Sequence, residues 1–140
     1  MHVMNPRVLV PARIVTVALC LASAAYVMVF LTQARFASPP PPPDHARTFA
    51  FVLAGLGATL LVAAPFVRTA LMARGPRTVQ AWFAAFIVAQ ALRESVAVFG
   101  LIASFETHDK RWVIGCAVAA VAAMLLAFPM SLDLDTDAPA

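Results

Sequence analysis

Residues 79–105 read "VQAWFAAFIVAQALRESVAVFGLIASF". Arg93 and Glu94 sit side by side in it, and no other formal charge lies between Arg77 and Glu106. As an α-helix the stretch is about 40 Å long at roughly 1.5 Å per residue. That exceeds the ~30 Å hydrocarbon core of a bilayer. Lipid offers the backbone no hydrogen-bond partners, so a segment of this kind must satisfy its own amides as a helix. The stretch predicts a transmembrane helix with two charges at its centre.

The rest of the chain agrees with that solvent. Of 140 residues, 62% are hydrophobic and 12% are charged. Soluble domains carry about 25% charged residues, so this chain has too few to cover a wet surface. Three more apolar segments, at about 8–33, 49–72 and 112–130, are long enough to cross, the last only just. The expected fold is all-α: a single domain over 1–140, an integral membrane bundle of four antiparallel transmembrane helices, with an acidic tail at 131–140. The first segment has a basic start and "ASA" at 22–24, features of a signal peptide. Its apolar run continues through "YVMVFL" beyond that point, which favours an uncleaved helix.

Cys20 and Cys116 both lie in apolar runs and read as small packing residues. The formal net charge of +3 does not point to nucleic acid, because the arginines gather at segment ends, as membrane topology requires. With both termini on one side, that side holds Arg7, Arg13, Arg68, Arg74 and Arg77. The other holds Arg35, Arg47, Lys110 and Arg111. Three of the first group crowd around the short turn "ARGPRT". Basic residues in short loops favour the cytoplasm. Both termini are therefore expected there, in a multi-pass protein of a bacterial inner (cytoplasmic) membrane.

The connections read as loops. Pro39 to Pro43 form a stiff polyproline spacer. Asp133, Asp135 and Asp137 have the alternate spacing of a calcium loop, but the glycine and closing glutamate are missing, so a solvated tail is expected. Transmembrane helices associate through small residues. Gly115, Ala119, Ala123 and Ala127 on helix four, and Gly55, Thr59 and Ala63 on helix two, are the expected contact stripes. Pro65 is expected to kink helix two.

Glu94 is the candidate site. A central charge in a membrane helix costs roughly 2.5–3.5 kcal/mol on insertion scales, so it needs partners or a task. Gln90, one turn earlier on the same face, is expected to hydrogen-bond the carboxyl. By depth, Ser23 and Tyr26 on helix one and the stretch from Gly55 to Thr59 on helix two are the expected neighbours. Arg93 points about 100° away around the helix, from where it can bend back to Glu94 or extend towards the headgroups. Two readings stand level. In one, Glu94 is an ion-binding carboxyl: an apolar site favours its neutral form, which takes up a proton and gives it back to a charged or hydrated partner. In the other, Arg93 and Glu94 form a neutralised pair that locks helix three into the bundle.

"RGP", seventeen residues and then "ESVAVFG" resemble the second half of the ATP synthase rotor-ring proteolipid, the c subunit. That family joins two helices by a cytoplasmic Arg-x-Pro turn, with a carboxylate midway along the second helix and an aromatic–glycine pair after it. The match falls on Arg74, Pro76, Glu94, Phe99 and Gly100. The resemblance implies that Glu94 binds and releases a proton or sodium ion, and that Arg74 and Pro76 form the loop that meets the central stalk. The chain also resembles small four-helix bacterial membrane proteins with a glutamate in helix three and a proline, here Pro129, closing helix four. His2, His45 and His108 are terminal or in loops and have no metal-ligand spacing; Ser95 and Ser104 have no base nearby. No enzyme activity, metal or cofactor is expected. The expected partners are the lipid bilayer and either further copies of the chain or a membrane complex.

Overall fold

The computed structural model describes residues 6–36, 41–74 and 78–129. They form four helices: α1 (Pro6–Phe36), α2 (Ala46–Arg74), α3 (Val79–Thr107) and α4 (Lys110–Leu126). Pro76 and the acidic tail lie outside the described residues.

Local chemistry sets the boundaries. Thr78 caps α3, its hydroxyl accepting from the Ala81 N–H at 3.2 Å. Asp109 caps α4, accepting from the Arg111 N–H at 2.9 Å. These side chains satisfy amides that a helix start leaves without partners. Between α3 and α4, His108 takes the left-handed conformation (φ 55°) and turns the chain in two residues. The fourth helix is shorter than expected. It stops at Leu126 and does not continue to residue 130, because Pro129 has no N–H to donate and disfavours the helical conformation at Phe128. Its 17 residues rise about 25 Å. The other three helices have the length and apolarity of membrane spans. Pro65, the expected kink, lies exposed within an uninterrupted α2.

The helices run alternately up and down. At one end, Arg13 on α1 donates from Nε to the Pro129 carbonyl at 3.4 Å and lies over the Phe128 ring. At the other end, Phe30 meets Phe105 edge-on and Phe51 meets Trp112 edge-on. α3 is the hub and touches each of the other three helices. α1 packs on α3 and α4 but, among the described residues, makes no contact with α2. The proline-rich connection therefore bridges two helices that are not neighbours, which suits an extended spacer.

The contact faces differ from the expected stripes. On α4 the buried residues are Val113, Ala117, Ala120 and Met124. On α2 they are Ala46, Ala50, Leu53, Gly57 and Ala64. Gly55, Thr59 and Gly115 are exposed, and a Cβ added at either glycine would meet nothing within 4 Å. The close approach is at Gly100 instead. A Cβ there would come within 2.4 Å of the Cys116 Cβ and 2.8 Å of the Trp112 carbonyl oxygen. Ser104 reinforces this crossing: its hydroxyl donates to the Asp109 carbonyl at 2.9 Å and accepts from the Val113 N–H at 2.7 Å.

The outer surface is apolar. Phe66 is 68% exposed, Phe51 67% and Leu126 90%. In water, such surface would be unfavourable by about 25 cal/mol per Å²; against lipid tails it costs nothing.

Gly100→Ala is expected to lower stability by about 1–3 kcal/mol, because two backbones must separate. Gly115→Ala should be neutral or slightly stabilising, since alanine is the better helix former. Thermal melts of both variants in one detergent check this. Equal melting temperatures would refute the assigned α3–α4 crossing.

Candidate functional site

The charged pair of α3 lies where two faces of the helix meet. Trp82, Phe86, Gln90, Arg93, Ala97, Gly100 and Ser104 follow one another at three- and four-residue steps, and all are buried. Ile87, Ala91, Glu94, Val98 and Ile102 follow the same steps on the outer side, exposed or half-buried. Successive residues on a helix are about 100° apart, so adjacent charges must point in different directions. Arg93, only 7% exposed, faces the bundle, while Glu94 is half-buried at the edge of the outer face. The sequence-based expectation differs: it makes Glu94 the buried group, with Arg93 either bending back to it or extending towards the headgroups, whereas here Arg93 is the more buried of the two.

Each charge has its own partner. Arg93 Nη1 donates to Gln90 Oε1 at 2.9 Å. Gln90 Nε2 donates across the helix boundary to the Thr16 hydroxyl at 3.0 Å. Thr16 donates back to the Ala12 carbonyl of its own helix at 3.0 Å. The directions are forced: a guanidinium has only donors, so the amide oxygen must face it and the amide nitrogen must face Thr16. Gln90 and Thr16 are fully buried. Beside this chain, the Arg68 guanidinium of α2 lies over the Trp82 ring, 5.6 Å from its centroid.

Glu94 belongs to a second contact between the same two helices. The Tyr26 hydroxyl on α1 donates to Glu94 Oε1 at 2.5 Å. Among the described residues Arg93 and Glu94 have separate partners and no ion pair joins them, in place of the expected direct pairing. The expected Gln90–Glu94 bond is absent for the same reason: the amide is already shared by Arg93 and Thr16.

The remaining candidates are dispersed. Thr59 is exposed, and its hydroxyl bonds the Gly55 carbonyl of its own helix at 2.9 Å, away from Glu94. Arg74 is exposed at the end of α2. Ser23 is fully buried, and its hydroxyl has no hydrogen-bond partner among the described residues. No cluster of three or more metal-ligating side chains occurs among the described residues. Sequence reasoning missed Thr16. The signal was available: Ala12, Thr16, Ser23 and Phe30 are buried at helical spacing and place two of the few hydroxyls of α1 on one face.

Comparison with family models, curated proteins and solved structures finds no match.

A double-mutant cycle on Gln90 and Arg93 (Gln90→Leu, Arg93→Leu) should return a coupling of about 1.5–3 kcal/mol, the range for hydrogen bonds to charged groups. The same cycle on Arg93 and Glu94 (Glu94→Gln) should return less than about 0.5 kcal/mol. Unfolding of each variant in mixed micelles measures both. A larger coupling in the second cycle would restore the direct lock.

Proposed function

We propose that the protein is a multi-pass membrane protein whose Glu94 binds and releases a proton near mid-membrane. In this reading both termini lie in the cytoplasm and the host is a bacterial inner membrane, as the basic residues around the α2–α3 turn favour. The carrying observation is the Tyr26–Glu94 hydrogen bond at the outer edge of the α1–α3 seam. A carboxylate has about four acceptor sites, and Tyr26 fills one. A proton needs one carboxyl oxygen and a hydrogen-bond partner for the form left behind, and this pair supplies both. The resemblance of the α2–α3 hairpin to the rotor-ring proteolipid supports the same residue for the same task.

The Thr16–Gln90–Arg93 chain favours a second, structural reading for Arg93. It joins α1 to α3 and does not involve Glu94. A helix-packing role in a larger membrane complex needs this chain and not Glu94, so the two readings make different demands on the carboxyl.

A lipid-soluble carbodiimide reacts with a protonated carboxyl reached through lipid. Mass spectrometry of the treated protein should find the label on Glu94, with the yield falling as pH rises. Glu94→Gln should remove the label and keep the fold. Tyr26→Phe removes the phenol's hydrogen bond to the carboxyl and should change the labelling yield at one fixed pH while leaving Glu94 the labelled residue. Absence of label on Glu94 at every pH would overturn the proton-binding reading.

A further inference from the structure

At the end of the bundle away from Arg13, a cavity of about 600 Å³ opens between the start of α2, the end of α3 and the start of α4. Its volume falls in the range of about 300–1,000 Å³ typical of small-molecule sites. Pro43, Asp44, Arg47, Phe51, Asp109 and Trp112 line it. None of these residues belongs to the Glu94 site. Both signs of charge occur in one cavity, two carboxylates and one guanidinium, beside an aromatic pair whose ring centres are 5.2 Å apart at 87°. Asp109 Oδ1 is engaged by the Arg111 N–H, and its second oxygen makes no hydrogen bond among the described residues. The Phe51 side chain, 67% exposed, connects the cavity to the apolar outer face of α2, where Val52 is also exposed.

We propose that this cavity holds the headgroup of a zwitterionic phospholipid bearing a primary amine, of the ethanolamine class. Arg47 takes the phosphate, for which a guanidinium supplies two parallel donors. Asp44 and Asp109 take the ammonium, whose three N–H groups match two carboxylates. The face of Trp112 adds a cation–π contact. The acyl chains pass Phe51 onto the exposed face of α2. The depth is right for a headgroup, because the cavity lies at helix ends, where tryptophan concentrates in membrane proteins. An anionic glycerol headgroup would bring hydroxyl donors but no cation to the two carboxylates, and its net negative charge would face theirs. A choline headgroup has no N–H to donate. The inference rests on membrane insertion of the bundle and is independent of proton binding at Glu94.

The test titrates the full chain in detergent with short-chain phosphatidylethanolamine, phosphatidylcholine and phosphatidylglycerol of equal chain length. Native mass spectrometry counts bound lipid, and the emission of Trp112 is followed in a Trp82→Phe variant. Phosphatidylethanolamine should bind saturably at one site, at least tenfold more tightly than the other two. Asp109→Asn keeps a good helix cap, since asparagine serves there as well as aspartate. Combined with Arg47→Gln, it should weaken that binding at least tenfold while leaving the melting temperature of the lipid-free protein unchanged. Carbodiimide labelling of Glu94 should not respond, which separates failure here from failure of the proton-binding reading. Equal binding of the three headgroups, or indifference to the double substitution, would overturn the site. Free phosphoethanolamine binding as tightly as the lipid would overturn the lipid as its occupant.

Discussion

A guanidinium in the middle of an apolar bundle must be hydrogen-bonded, and the arrangement of α1 on α3 follows from that requirement. An unpaired buried charge costs several kcal/mol, whereas a well-placed acceptor returns much of it. Here the acceptor is the Gln90 amide, one turn back on the same helix, and Thr16 on α1 completes it. Docking α1 on α3 therefore does two things together. It covers apolar surface, and it gives the amide nitrogen a partner so that its oxygen can face Arg93. Lipid tails compete well for apolar surface, so a polar contact of this kind helps to specify which helices meet.

With Arg93 engaged inward, helical geometry carries Glu94 to the outer edge, where the phenol of Tyr26 reaches it. The two contacts belong to one seam but differ in character. The Thr16–Gln90–Arg93 chain is buried, as suits a fixed element. The Tyr26–Glu94 pair is half-buried, with acceptor capacity to spare. A group that exchanges a proton needs access as well as a partner, and of the two central charges only Glu94 has both.

The sequence disclosed the elements well and their faces poorly. The start of α3 at Val79 was legible in the apolar run after "ARGPRT", and Tyr26 could be placed beside Glu94 by depth along the helices. The contact stripes were not legible, because lipid and protein interior are almost equally apolar and alanine is spread over every face. Gly55 and Gly115 sit at favourable spacing yet face outward, while Gly100, in a run of larger residues, marks the close crossing. Which of two adjacent charges lies inside was likewise hidden. It depends on a threonine of another helix, seventy-four residues away in the chain.

The outer face of α3 contains residue 94 and the inner face contains residue 93. Spin labels placed singly from Phe86 to Ile102 in a lipid bilayer, with accessibility to dissolved oxygen measured at each, read that arrangement directly. Oxygen accessibility should rise and fall with the helical repeat, with maxima at 87, 91, 94, 98 and 102 and minima at 86, 90, 93 and 97. Maxima at 90, 93 and 97, with 94 protected, would contradict it.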